Sequence, residues 1–482
     1  VFGAKPSQKR FHGFDHVGRY TSACGPCIYR DDWLFPDSVG VTHAFTCEPF
    51  SNLVQHHHLR RSGVTFEGDR APTVSETDFL ASSDRWCRPV MTRTGPDGAL
   101  WVVDMYRYMI EHPDWLPQEG RDELKPHYRY GDDRGRIYRV VKQDTPRKQI
   151  PRLAGKSVGE LVDHLAHPNG LVRDAAQRLL SARQRSEGEK QLETGQGQGA
   201  PDLPALNELV KGHPSPKVRA QAFWTLRGLG WLDPNLHIWV AQDPHPLVRR
   251  LALESPYLTT EVVRQLASDL DPGVRLEALI ALGDSDAEED GVVLLTAAKR
   301  KDLDRFTVAA IISSVPNHFS LFARSAGELR HHEPMLEALL SMAPAYGKDA
   351  GLLLDSAIEQ LAPQPLDYRL LAHWLDLRRD QEPLKDWSAL MGRAREQAGD
   401  SEAEGAVRVA ALGLVGRRSL AWDGDREVVQ ACLAPQASLA VQTAALAALR
   451  RSGQEEAPRL LLSRWNQLSP SFRSTAIDAL IE

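Results

Sequence analysis

No stretch of this 482-residue chain approaches the roughly 18 consecutive apolar residues that a membrane-spanning helix needs, so none is expected. Positive charge is not in excess. The 58 Lys and Arg against 64 Asp and Glu give a formal net charge of -6, which removes the electrostatic case for a nucleic-acid partner. Cysteine is scarce and unevenly placed: Cys24, Cys27, Cys47 and Cys87 fall near the start, and Cys432 stands alone far downstream. No Cys-x-x-Cys-His occurs, so the chain carries no haem-attachment signature. Only one Cys-x-x-Cys is present, which argues against a zinc ribbon. No signal peptide is visible, but Val1 already lies in polar, loop-like sequence; the chain is expected to begin inside a longer protein, and its start does not fix a compartment. The remaining composition, 42% hydrophobic and 25% charged, is that of a globular protein long enough for two or more domains.

The chain changes character near residue 143. Residues 1–142 read as short strands and long loops, with β-prone runs at Ile28-Tyr29, Ala44 to Cys47, Gly63 to Phe66, Leu100 to Val103 and Arg136 to Val141, each bounded by Gly, Pro, Asp or Ser. Residues 143–156 form a linker rich in Pro, Lys and Arg. From Ser157 to Glu482 the sequence repeats itself. Pro168-x3-Val172-Arg173-x2-Ala176 recurs from Pro214 and from Pro244, tightens to Pro272-x-Val274-Arg275-x2-Ala278, and echoes from Pro435 and Pro470. Pro opens a helix in this reading, and Val218, Ala222, Leu226 and Leu229 then line one face at helical spacing. Such a pair cannot bury its face alone, so an all-α stack is expected over 157–482 with no β-sheet. Its Val-Arg arginines are expected to bond an Asp or a carbonyl of a neighbouring repeat. Residues 184–202, polar and Gly-rich, read as a flexible insertion; Leu321 to Ala398 is helical but poorly phased.

Chemistry-bearing residues concentrate between Trp86 and Trp115. A Gly95-Pro-Asp-Gly98 turn feeds the Ala99 to Val103 strand, which stops at Asp104 and is followed by Tyr106, Arg107, Glu111 and His112. A site that oxidises a hydroxyl needs a base for its proton and a cation near the developing charge. His112 or His16 fits the first role and Arg88 or Arg107 the second; the alternative is that Asp104 and Arg107 form a buried ion pair. No metal site is expected. Of His56-His57-His58 at most two can converge, because successive side chains on a strand face opposite ways. Cys24-Gly-Pro-Cys27 has the spacing of a redox motif, but the following Ile28-Tyr29-Arg30 looks like a strand rather than a helix. Four cysteines in one β-rich segment are compatible with two disulfides in any of three connectivities, or with buried thiols. Disulfides would favour an oxidising compartment.

The Pro-x-Val-Arg-x-x-Ala units resemble HEAT repeats. The first part resembles a narrower group. Gly13 to Gly18 with His16, Thr21 to Pro26, Tyr29-Arg30-Asp31, Cys47-Glu48-Pro49, Asn52-Leu53-Val54, Phe79 to Ser82, Arg88-Pro89-Val90, Gly95 to Arg107, Ile110 to Pro113 and Gly135 to Arg139 match, in order, the C-terminal blades of planctomycete-type membrane-bound dehydrogenase β-propellers. These are similar to quinone-dependent glucose/sorbosone dehydrogenases and are followed by HEAT-like repeats. The resemblance implies a multidomain chain, an incomplete all-β propeller over 1–142 and an all-α HEAT-like solenoid over 157–482. It implies a periplasmic or secreted, quinone-linked oxidoreductase acting on a sugar or polyol, with pyrroloquinoline quinone and calcium as candidate cofactors and His16, Arg88, Asp104, Arg107, Glu111 and His112 as candidate catalytic residues. The solenoid would hold a protein partner. The competing reading is a non-catalytic carbohydrate- or protein-binding scaffold. Cys27 and Cys87 stand where that group carries apolar residues, which suggests a Cys27–Cys87 bridge and leaves Cys24 with Cys47.

Overall fold

The computed structural model describes residues 4, 19–36, 40–71, 76–110, 112, 114, 116–194, 203–231, 233–255, 257–347, 365–377, 388–417 and 422–481. The chain divides into two compact units, Val1–Val262 with Asp269–Val274, and Val263–Ser268 with Arg275–Glu482.

In the first unit, β1 (Cys24–Ile28), β2 (Thr42–Glu48), β3 (Leu53–Ser62) and β4 (Thr65–Arg70) run antiparallel in nearest-neighbour order, with the short β5 (Leu80–Ala81) on β3. A second antiparallel sheet holds β6 (Pro89–Thr94), β7 (Leu100–Asp104) and β8 (Arg136–Val140). Alternation explains the burial. Phe45 and Cys47 of β2 and Leu100 and Val102 of β7 face one core with Tyr29, Leu34 and Val54. The Gly95-to-Gly98 turn closes the β6–β7 hairpin as its composition suggests. Gly98 takes φ +81°, and Asp97 Oδ1 accepts from Ala99 N–H and Trp101 Nε1–H. Strands β3 and β6 escaped the sequence reading; the run of three histidines and two arginines in β3 hides its alternation.

All five cysteines are free thiols, so the expected Cys24–Cys47 and Cys27–Cys87 disulfides find no support. Cys24 and Cys47 are register partners across β1 and β2. Cys27, by contrast, turns its Sγ to the Ile28 carbonyl at 3.3 Å, while Cys87 lies buried where Asn52 Nδ2 donates to its carbonyl. Cys24-Gly-Pro-Cys27 lies on a bulged strand and not at a helix start, so thioredoxin-type activation has no structural basis here.

Beyond the linker the described chain is helical and holds no strand, as the repeats predict. Within the first unit α1 (Gln118–Leu124) belongs to the β module, and the array begins with α2 (Val158–Asp163), α3 (Gly170–Thr194), α4 (Leu203–Gly212), α5 (Pro216–Gly228), α6 (Pro234–Ala241) and α7 (Pro246–Leu253). Ser157 and Glu160 form a reciprocal capping box on α2. Helices α3, α5 and α7 pack in succession, each against its partner, which is the stacking of a solenoid. Val218, Ala222, Leu226 and Leu229 are buried together. Pro272 and Pro470 open their helices as the sequence reading has it, but three repeat prolines act differently. Pro168, Pro214 and Pro244 stand two residues ahead of their helices, and their carbonyls accept from Arg173, Arg219 and Arg249 Nη1. Arg219 and Arg249 then reach forward. Arg219 binds Asp243 through two 2.7 Å hydrogen bonds, and Arg249 binds Asp269 in the same way. These two arginines thus join repeat to repeat, as expected. Helix α3 continues through Thr194, into the segment whose composition suggests a flexible insertion. Its Arg, Gln, Glu and Lys are good helix formers; residues 195–202 lie outside the described residues.

The β module and the array are bonded directly. Asn169, fully buried, caps α3 by accepting from Leu171 and Val172 N–H, and its Nδ2 donates to Asp31 Oδ2 at 2.7 Å and to the Gly95 carbonyl at 2.8 Å. Gly170 N–H donates to the Arg30 carbonyl, Arg30 pairs with Asp174, and Lys148 of the linker binds Asp31 and Asp32. On the array's side, Arg61 of β3 pairs with Asp271 at 2.7 Å.

The second unit continues the same construction. Glu288–Ala298, Arg305–Ser314 and Glu333–Met342 pack in turn, and Gly405–Leu412, Leu439–Arg451 and Pro470–Ile481 form a further stacked row. Arg395 pairs with Asp425 at 2.7 Å. Cys432 is helical, buried and single, as its isolation in the sequence suggests.

Candidate functional site

Asp104 ends β7 and is almost wholly buried. Its Oδ1 accepts from Arg88 N–H at 2.7 Å and Tyr106 N–H at 2.8 Å, and its Oδ2 accepts from the Tyr138 hydroxyl at 3.2 Å. Arg136 Nε stands 4.0 Å from Oδ2. These bonds hold Tyr106 at φ +53°, a left-handed conformation unusual for a non-Gly residue, with the Arg136 guanidinium stacked 3.8 Å over its ring. Burial and the neighbouring Asp104 push the Cys87 thiol up to about 12.

Arg88 is buried as well, and its guanidinium addresses main chain. Nε donates to the Arg107 carbonyl, Nη1 to Pro49 and Phe50, and Nη2 to Tyr108. Arg107 Nη1 donates to the carbonyls of Gly131, Met105 and Tyr106. The structure therefore brings Arg88, Asp104 and Arg107 together, but Asp104 and Arg107 do not form the ion pair considered above. His112 is exposed; its Nδ1 accepts from Asp114 N–H, and its ring meets Tyr128 edge-on. His16 and Glu111 lie outside the described residues. Bonds to carbonyls from the Arg88 guanidinium and from Arg107 Nη1 orient a loop, which is a geometry for fixing backbone.

A second cluster lies on the first sheet. His43 of β2 is the register partner of His58 on β3, and Phe45 is the partner of His56. Alternation puts all four on one face, with His57 on the other. His43 Nδ1 and His56 Nε2 share a 2.9 Å hydrogen bond, and the ligand nitrogens of His43, His56 and His58 all lie within 4.8 Å of one another. Phe35 stacks on His43 at 4.1 Å and Phe45 on His56 at 4.5 Å. His43 is 6% exposed and His56 1%. Burial, reinforced by the neighbouring imidazoles, pushes His43 down to about 4 and His56 down to about 3. His43 Nε2 and His56 Nδ1 are buried with no hydrogen-bond partner. Two of the three consecutive histidines converge, as strand geometry requires. The third member, His43, was missed, because only the β2–β3 register reveals it.

Comparison with known proteins adds little to this geometry. A family model described as a domain of unknown function, DUF7133, matches residues 1–144. No curated protein matches the chain. Among solved structures, human deoxyhypusine hydroxylase in complex with glycerol is similar at 15% identity and a TM-score of 0.21, over 52% of this chain and 96% of that one.

Proposed function

We propose that this chain acts as a scaffold, in which a β module fixed to the start of a HEAT-like array presents surfaces for a carbohydrate or a protein partner. One observation carries the reading: the Arg88 guanidinium and Arg107 Nη1 donate to main-chain carbonyls, and Asp104 is occupied by main-chain N–H groups and Tyr138. A catalytic cation or base needs a free face toward substrate. The resemblance of residues 10–142 to dehydrogenase propellers supports setting this scaffold within a quinone-linked oxidoreductase of the periplasm or cell exterior that acts on a sugar or polyol. The nearest-neighbour antiparallel order of both sheets agrees with propeller blades. In that setting these residues would hold the frame, and pyrroloquinoline quinone with calcium would be bound by other groups. The free thiols lend the oxidising compartment no support.

The test is Arg107→Ala, assayed by quinone-reconstituted dye reduction across a sugar panel and by thermal melting. The scaffold reading expects a lower melting temperature and an unchanged rate per folded molecule. Loss of turnover with an unchanged melting temperature would return Arg107 to catalysis and overturn it.

A further inference from the structure

We propose that His43, His56 and His58 bind one divalent transition-metal ion of the zinc class, with a fourth coordination position left to water or an exogenous ligand beside the half-exposed His58. The site is built by the backbone. The β2–β3 ladder sets His43 opposite His58 and places His56 two residues away on the same face, so three imidazoles converge without any loop to order. Their ligand nitrogens already lie within 4.8 Å of one another. Tetrahedral zinc with Zn–N bonds of about 2.0–2.1 Å spaces its nitrogens by about 3.3 Å, so small ring rotations suffice. The His43–His56 hydrogen bond at 2.9 Å is the one contact that must open.

The donor chemistry selects the ion. Three imidazoles suit zinc, copper or nickel, whereas calcium takes oxygen ligands and is not expected here. Two observations besides proximity bear on a ligand. His43 Nε2 and His56 Nδ1, the ring nitrogens outside the His43–His56 hydrogen bond, are buried and unpartnered, so no protein group holds either ring against the rotation that binding requires. Phe35, Phe45 and Phe79 wall the cluster with apolar faces, the surroundings that limit solvent access to a metal. No carboxylate or thiol joins the group among the described residues, which leaves the fourth position open. The inference is independent of the scaffold reading.

The experiment uses the full chain, stripped with a chelator and titrated with Zn2+ against a chromophoric competitor, with bound metal counted by mass spectrometry after desalting. One Zn2+ per chain is expected. His58→Ala should weaken binding at least tenfold, while His57→Ala, on the opposite face, should retain it. Zn2+ should raise the melting temperature of the native chain but not that of His58→Ala. Should the variants fail to fold, the native chain loaded with Co2+ decides by NMR: three paramagnetically shifted imidazole N–H resonances are expected. Substoichiometric zinc, affinity unchanged in His58→Ala, or fewer than three shifted resonances would overturn the proposal. So would metal that persists in His58→Ala but is lost in Cys24→Ser with Cys47→Ser, which would put the ion on thiols.

Discussion

Asp243→Ala puts the repeat-to-repeat arginine bonds to a quantitative test. Both Asp243 oxygens accept from Arg219 at 2.7 Å, and Oδ1 also takes His245 N–H at 2.8 Å. The side chains are 9% and 7% exposed, so water barely reaches the pair. Without the carboxylate the guanidinium keeps two acceptors, the His213 and Pro214 carbonyls, both on Nη1; Nε and Nη2 are left bare. Removing one partner of a buried pair costs about 3–5 kcal/mol. At about 1.4 kcal/mol per tenfold, this is roughly two to three and a half orders of magnitude in the opening equilibrium. Stacked repeats open locally, so the measurement is amide hydrogen exchange on peptides covering α5 and α7 rather than a global melt. The double variant Arg219→Met/Asp243→Ala should recover much of the loss, because it removes the stranded charge as well. Arg60→Ala, which breaks an exposed pair with Asp69, is the control and should cost at most about 1 kcal/mol. A loss of protection below tenfold in Asp243→Ala, or a double variant worse than the single, would refute the reasoning.

Two further outcomes follow from the β module. Gly25→Ala should lower stability by roughly 1–3 kcal/mol, since Gly25 lies at φ +53° and an added Cβ would meet the Val90 carbonyl and the Met91 Cα; an unchanged melting temperature would show that the bulge can relax. Burial acts to raise the Asp31 pKa, but hydrogen bonds from the side chains of Lys148, Asn169 and Asp32 outweigh it and hold the carboxyl below its usual range. A depressed carboxylate stabilises fully above its unfolded pKa of about 3.9, and that contribution is lost as pH falls through the lower folded value. The native melting temperature should therefore fall more steeply below pH 4 than that of Asp31→Asn, and parallel slopes would dismiss the link.

The array was legible because its signal is periodic. Val218, Ala222 and Leu226 announce a buried face at fixed spacing, and the recurring arginine announces a recurring role. The arginine's partners were legible only as a class, since Asp243 and Asp269 lie beyond the repeat signature itself. The β module was less transparent. Asp104 stood out as an acid at a strand end, yet its partners are mostly main-chain N–H groups, which carry no residue identity. Arg88 and Arg107 read as catalytic cations for the same reason, because a carbonyl acceptor leaves no mark on the sequence. His43 could not be found without the strand register, and register depends on the loop between β2 and β3, where Asn52 takes φ +58°.

Solenoids have two ends, and each end of an open stack must be finished somehow. Here the finishing piece at the start is a β module. Asn169, Gly170 and Asp174 of the first helix pair bind Asp31, Arg30 and the Gly95 carbonyl, and Arg173 has carbonyl acceptors but no carboxylate among the described residues. The first pair is therefore cut to fit a sheet, while later pairs are cut to fit one another. Duplication or loss of pairs beyond Asp271 leaves the junction untouched, whereas the same event at α3 severs it. Such an array can lengthen or shorten across a lineage only from its far side, with its origin pinned.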